Sequence, residues 1–208
     1  GRQGGVKVPG RGGGWGGWGD GVKGGSQTAA RRRHAEIGPV LAAGGSAGLP
    51  YDTRPLEEGD SLRARLAKSG PFPVTEAISV LRDVAKALAY AHERGVVHRD
   101  IKPDNVLLTG GAAVVTDFGV AKALSASKAA APGGTLTQIG TSLGTPAYMA
   151  PEQAAADAGA DQRVDIYAIG VVAYEMRGGL PPLTGRQGQS IPAAQWEEAP
   201  APANDMRA

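Results

Sequence analysis

Cysteine is absent from all 208 residues. That removes a disulfide framework, a thiolate zinc site, a cysteine nucleophile and dithiol redox chemistry together, and it suits a reducing cytosol. No uninterrupted apolar run approaches the ~20 residues that cross a bilayer, and the first residues lack the apolar stretch of a secretory signal. Net charge is nearly absent too: 22 basic residues stand against 20 acidic ones, and a balance of +2 gives no electrostatic footprint for nucleic acid. The length suits one domain, or a domain and a half, and can bury a real core. What the chain has in excess is glycine, 33 residues, and the distribution of these glycines matters more than their number.

About half of the first 25 residues are glycine, interrupted by Trp15, Trp18 and a few basic residues. No period of 2 or 3.6 specifies a strand or helix there, and burial cannot offset the entropy of ordering it. Residues 1–33 are therefore expected to be disordered or unrelated to the rest of the chain, with Arg31 to Arg33 as a solvated charge run. From His34 the texture changes. Residues 49–55 are a candidate short strand, and residues 61–68 a short helix capped by Asp60 or Ser61 and ended by Gly70-Pro71. The longest periodic stretch predicts a helix over 76–93, with Thr75 as its N-cap, Ile78, Leu81, Ala85 and Leu88 as its apolar stripe, and Gly95 at its stop. Short β-prone runs at 106–108 and 113–115, joined across Gly110-Gly111, predict a hairpin. A last helix is predicted over 162–176, with Val164, Ala168, Val171 and Tyr174 buried and Gly178-Gly179 ending it. Residues 120–145 have no sustained period and read as a long loop, functional or disordered, and the stretch from 185 onward reads as loosely ordered.

Three segments carry chemistry. They are His98-Arg99-Asp100-Ile101-Lys102-Pro103-Asp104-Asn105, then Asp117-Phe118-Gly119, then Gly144-Thr145-Pro146-Ala147-Tyr148-Met149-Ala150-Pro151-Glu152. Their order and spacing match the protein-kinase signature set, and the sequence resembles the bacterial eukaryotic-like (Hanks-type) serine/threonine protein kinases. A lone Asp-Phe-Gly means little, but three long motifs in the right order are hard to obtain by chance. The resemblance implies an α+β, protein-kinase-like fold over residues 34–200, mainly the helical C-lobe with its hinge, most of the β-rich N-lobe missing, and a tail at 201–208. It also implies a cytoplasmic enzyme that takes ATP with Mg²⁺ or Mn²⁺ and phosphorylates Ser or Thr hydroxyls of protein substrates.

Phosphoryl transfer needs an acceptor hydroxyl held in line with the γ-phosphate and a divalent cation to neutralise the phosphate oxygens. Asp100 is placed to orient or accept the hydroxyl proton. Asn105 and Asp117 supply hard oxygen ligands for the metal, and Lys102 sits where an ammonium pairs the transferring phosphate, as in the serine/threonine subclass. In the family the threonine at Thr145 bonds the catalytic Asp and Lys, which groups it with Asp100 and Lys102. Asp165 resembles the aspartate that receives backbone N–H groups of the catalytic loop. His98 resembles the imidazole that braces this loop and Phe118, not a general base. Arg99 resembles the class with a phosphorylated activation loop, so Thr135, Thr137, Thr141 and Ser142 are candidate sites of self-phosphorylation. Asp104 reads as a turn former and His92 as a packing or capping residue, and neither His34 nor His92 has metal-ligand spacing.

Upstream, residues 34–41 resemble the loop after the family's regulatory helix. Tyr51-Asp52-Thr53-Arg54-Pro55-Leu56-Glu57-Glu58-Gly59 resembles the strand and hinge that bear adenine, which puts Glu57 among the nucleotide-binding positions. In that register Arg54 takes the gatekeeper position, where burying a guanidinium costs several kcal/mol unless it is paired. Before His34 the resemblance ends. Gly12, Gly14 and Gly17 satisfy G-x-G-x-x-G, yet so glycine-dense a segment makes the match nearly inevitable, and Lys7 and Lys23 stand at the wrong distance for the phosphate lysine. A Gly/Arg/Trp/Ala-rich start is what a GC-rich gene read in the wrong frame encodes. The arginine that pairs Glu152 in the family's large lobe is also missing.

Three functions are compatible with these features. The first is an ATP-dependent serine/threonine kinase. The second is a truncated or pseudokinase-like module that binds partners and transfers little phosphate, as the missing lysine and Gly-rich loop suggest. Nucleic-acid binding by the Gly/Arg-rich start is the third, and the near-neutral net charge argues against it.

Overall fold

A computed structural model of the chain describes residues 4–7, 34–38, 42–46, 49–55, 59–118, 146–184, 194–195 and 198–202. Six short strands in two antiparallel sheets accompany four α-helices among these residues. The first sheet joins Gly4–Lys7 (β1), Ala42–Ser46 (β2) and Leu49–Pro55 (β3) in the order β1-β3-β2. The strand expected at 49–55 is its centre. Gly4–Lys7 departs from the expectation of an unstructured start: Gly5 pairs opposite Arg54 and Lys7 opposite Asp52. An open strand edge recruits a neighbour through backbone N–H and C=O groups, so a glycine-rich segment can join it with no hydrophobic alternation.

Asp60–Ser61 (β4), Val106–Thr109 (β5) and Ala112–Val115 (β6) form the second sheet in chain order. The predicted hairpin is present, with Thr109 opposite Ala112 and Val106 opposite Val115. Its two-residue turn needs positive φ at both central positions, and Gly110 and Gly111 provide it at 56° and 82°. Ile37 adds a parallel bridge to Val115 on the far edge.

Helix Leu62–Ser69 (α1) is capped by Ser61, whose Oγ accepts the Ala64 N–H at 3.1 Å. Asp60, the other candidate cap, pairs with Lys68 at 2.8 Å instead. The long helix Val74–His92 (α2) starts earlier than predicted and is not capped by Thr75; its N-cap is Pro73, without a side-chain cap bond. The reason lies upstream. Phe72 is fully buried, and its N–H donates to the Met176 carbonyl at 2.7 Å, while the Pro73 carbonyl accepts the Ala77 N–H at 2.9 Å. Anchoring at Phe72 and the fixed φ of proline launch the helix at Val74, two residues before the predicted start at 76.

The buried stripe of α2 also differs from the predicted one. Ala77, Val80, Val84, Ala87, Leu88 and Ala91 face inward, whereas Ile78 is 50% exposed and Ala85 is exposed. Helix α2 is packed between β6 and the helix Arg163–Gly178 (α4), and the alanines permit the close approach of both neighbours. Helix α4 buries Val164, Ala168 and Val171 as expected, but Tyr174 is only half-buried and Val172, Glu175 and Met176 are buried beside them. It ends at Gly179, in the left-handed region at φ 87°, whose N–H donates to the Glu175 carbonyl at 2.7 Å. Phe72, Leu62, Leu88, Ile101, Met176, Val106 and Val115 form the centre of the core. The predicted loop at 120–145 lies outside the described residues.

Candidate active site

The segment after α2 crosses the molecule in an irregular path that backbone bonds alone do not define. Asp165, in the first turn of α4 and fully buried, defines it with its carboxylate. Oδ2 accepts the His98 N–H at 2.9 Å and Oδ1 accepts the Arg99 N–H at 2.7 Å. His92 Nε2 lies 2.7 Å from Oδ2, so the last residue of α2 is tied to the same carboxylate. Arg99 adopts φ 68°, a left-handed conformation that costs a non-glycine residue about 1–3 kcal/mol and persists only where the surroundings enforce it. Here the Asp165 bond to its amide does so. A further anchor comes from Gln153 in the short helix Pro151–Ala154 (α3), whose Nε2 donates to the Arg99 carbonyl at 2.7 Å.

His98 is fully buried, and its two ring nitrogens have assignable roles. Nδ1 lies 3.2 Å from the Asp100 N–H and must accept it, which leaves Nε2 as the protonated nitrogen donating to the Thr116 carbonyl at 2.8 Å. The ring meets Phe118 edge-on, with centroids 4.6 Å apart. The imidazole thus braces Asp100, the strand end at Thr116 and Phe118, and both of its nitrogens are occupied.

Held this way, Asp100 meets two partners. Lys102 Nζ donates to Oδ1 at 3.1 Å and to Oδ2 at 2.9 Å. Asn105 Nδ2 donates to the Asp100 carbonyl at 2.7 Å and to Oδ2 at 3.1 Å. Asn105 belongs to a 3-10 turn, Pro103–Asn105, formed where Pro103 restricts the chain; its N–H donates to the Lys102 carbonyl at 3.0 Å. With its nitrogen committed to Asp100, the amide has its oxygen as its remaining acceptor. Asp117 is brought close by Thr116, whose N–H and Oγ1 both donate to the Asn105 carbonyl, at 2.9 and 3.2 Å. Asp117 itself adopts φ 67°, the second non-glycine left-handed residue of the site. The sequence-predicted Asp100, Lys102, Asn105 and Asp117 are therefore gathered by one loop and one hairpin. Thr145 and Glu57 lie outside the described residues.

A second cluster ties this loop to the segment after Thr145. Tyr148, in the turn Pro146–Tyr148, donates its phenol hydrogen to Glu175 Oε2 at 2.5 Å. Arg63 of α1 donates to Glu175 Oε1 at 2.5 Å and to the Tyr148 oxygen at 2.6 Å, and its Nε reaches Asp104 Oδ2 at 3.4 Å. Burial, reinforced by Glu175, pushes the Tyr148 phenol well above its ordinary value. Burial works against the Arg63 charge, but hydrogen bonds to Glu175 and Tyr148 outweigh it, and the guanidinium stays protonated. Asp104, expected as a local turn former, thus also makes a long-range contact.

Four supporting residues were not legible as such: His92, Thr116, Gln153 and Arg63. The helix-end position of His92 was the sole signal, since Asp165 lies 73 residues away.

The chain is similar to known proteins. The family model described as Protein kinase domain matches residues 55–204. The serine/threonine-protein kinase PknB of Mycobacterium tuberculosis is 37% identical over 182 residues, covering 85% of this chain and 28% of that protein. PknL of the same organism is 38% identical over 167 residues, covering 80% of this chain and 40% of its own length. The chain thus spans less than half of either relative. The crystal structure of the Mycobacterium tuberculosis PknI kinase domain superposes with a TM-score of 0.64 at 28% identity, covering 88% of this chain and 61% of that one. With the family model spanning well over half of the sequence and the Asp100 loop, the strand end at Asp117-Phe118 and the Asp165 anchor in one constellation, the chain belongs to the protein kinase domain family, among the bacterial Hanks-type serine/threonine kinases.

Proposed function

We propose that this chain catalyses ATP-dependent phosphorylation of Ser or Thr hydroxyls in protein substrates. The observation that carries this is the Asp100-Lys102-Asn105 constellation, in which one carboxylate is held by an ammonium and an amide and oriented from beneath by His98 and Asp165. Asp100 would orient the attacking hydroxyl and take its proton. Lys102, at 2.9 Å from Asp100, lies close enough to move between the carboxylate and a transferring phosphate.

The donor set also suits Mg²⁺. Asn105 and Asp117 offer hard oxygens, and among the described residues no group of three or more His, Cys, Asp or Glu gathers as a metal cage of its own. Mg²⁺ is commonly bound by one or two carboxylates, with waters and phosphate oxygens completing its shell. When bound, the ion neutralises phosphate charge. We further propose that Glu57 contributes to the nucleotide site, that Thr145 bonds Asp100 and Lys102, that threonines in 120–145 accept phosphate from the chain itself, and that the enzyme is cytoplasmic. Among the described residues no helix is long and apolar enough to cross a membrane.

With Mg-ATP and a generic Ser/Thr acceptor, Asp100→Ala is expected to lower phosphotransfer by about 10²–10⁴-fold, the usual contribution of a positioned acid or base. Its stability should stay near that of the unsubstituted chain, because Asp100 is 30% exposed at its side chain. Asp117→Ala should be at least as inactive. Equal background in all three chains would defeat the proposal. It would then favour the pseudokinase-like module, a reading supported by the lack of a correctly spaced phosphate lysine in the Gly-rich start.

A further inference from the structure

Strand β6 delivers Asp117, yet among the described residues its outer edge is covered by no further strand of regular length. In an antiparallel pair alternate N–H groups point away from the partner, and on β6 these belong to Ala113 and Val115. The Val115 N–H donates to the Glu36 carbonyl at 2.8 Å, and the Val115 carbonyl accepts the Gly38 N–H at 2.8 Å. Two residues earlier the Ala113 N–H, on a residue 1% exposed, donates instead to the side chain of Asp83 at 3.1 Å. Asp83 lies on α2 with its side chain 15% exposed, and its other oxygen faces Lys86 at 3.7 Å. Lys86 in turn approaches Glu36 Oε1 at 3.8 Å.

We propose that Asp83 is a positioning residue for phosphoryl transfer: its carboxylate substitutes for a missing strand, fixes the start of β6 on α2, and so sets where Asp117 meets the metal. The proposal rests on the kinase function proposed above. A buried amide without an acceptor is expensive, and a carboxylate acceptor makes a stronger bond than a neutral one. The Lys86 contacts carry far less weight. Lys86 is 54% exposed, and ion pairs at 3.7 and 3.8 Å in solvent contribute little. The strand's two outer anchors, Asp83 and the Glu36–Gly38 backbone, therefore divide unequally between one side chain and one segment. Only the first can be removed by substitution.

Amide hydrogen exchange of the full chain tests the clamp directly. Asp83→Ala is expected to speed exchange at Ala113 by about 10–100-fold, as expected when a protected amide loses its acceptor, with a smaller rise toward Asp117. Asp83→Asn keeps a side-chain oxygen and should restore most of the protection, and Lys86→Met should leave it unchanged. If the alanine variant does not fold, Asp83→Leu removes the acceptor while preserving side-chain volume. In phosphotransfer assays Asp83→Ala should raise the Mg²⁺ concentration for half-maximal rate by up to about 10-fold, the lower end of the scale for losing an outer partner of a metal ligand, because Asp83 bonds Ala113, four residues before Asp117, with the rate at saturating Mg²⁺ much less affected. Native exchange at Ala113 in the Asp83→Ala and Asp83→Leu chains would overturn the proposal, and so would a loss of rate that added Mg²⁺ does not relieve. If the unsubstituted chain transfers no phosphate, the kinase function fails, while the exchange measurement still decides whether Asp83 holds the strand.

Discussion

Asp165→Ala is expected to abolish phosphotransfer and to lower unfolding stability by about 3–5 kcal/mol. The carboxylate is fully buried and satisfies the His98 and Arg99 amides and the His92 ring at once. Its removal leaves two backbone donors without an acceptor, each costing about 1–3 kcal/mol, and frees Arg99 from the contact that enforces its left-handed conformation. Asp100 then loses its orientation, although no atom of Asp165 touches the reacting groups. Asp165→Asn keeps one acceptor oxygen and should fall between. Urea denaturation, run beside Asp100→Ala, separates the two kinds of loss: Asp100→Ala inactivates with little change in midpoint, Asp165→Ala with a large one. An unaltered midpoint in Asp165→Ala would show that the loop is held by other contacts.

The second large effect is expected at Arg63, and the two ends of its ion pair are not equivalent. Glu175 is 1% exposed as a residue, whereas the Arg63 side chain is 37% exposed and also reaches Asp104. Arg63→Ala leaves a carboxylate buried with Tyr148 as its remaining side-chain donor in this cluster, and should cost about 3–5 kcal/mol. Glu175→Ala should cost less, since the guanidinium can turn toward water and Asp104. Equal losses from the two substitutions would contradict this account. Tyr148 adds a pH signature. Folded Tyr148 keeps its proton at pH values where an unfolded tyrosine, with a pKa of about 10, loses it. The corresponding stability is therefore complete below that value and is lost as the pH rises beyond it toward the folded-state value. Urea midpoints measured from pH 9 upward should fall more steeply for the native chain than for Tyr148→Phe.

Local chemistry was legible wherever one short segment contains its whole cause. Gly110-Gly111 between two β-prone runs can only be a tight turn, and Gly179 after a helical period is a stop; both stand where expected. The catalytic loop was legible for another reason, since residues two and five positions from Asp100 return to the same carboxylate once a proline turn intervenes. The buried face of α2 was not legible. Ile78 and Leu81 outrank Ala77 and Ala87 in hydrophobicity, and the sequence period accommodates either stripe. Close packing against β6 and α4 selects the small residues, and Ile78 stays at the surface. The helix start was missed because the Phe72 amide binds the Met176 carbonyl, 104 positions further on.

The sequence by itself determined the chemical inventory: no thiol, no membrane-length apolar run, and three ordered motifs, at 98–105, 117–119 and 144–152, that carry the kinase resemblance. These follow from composition and from stretches a few residues long. Only the tertiary structure decided which groups hold that inventory in place. Asp165 reaches His98 across 67 positions, Glu175 reaches Arg63 across 112, and Asp83 reaches Ala113 across 30. A buried polar group must find a partner wherever the fold provides one, and nothing in the local sequence specifies how far away that partner lies.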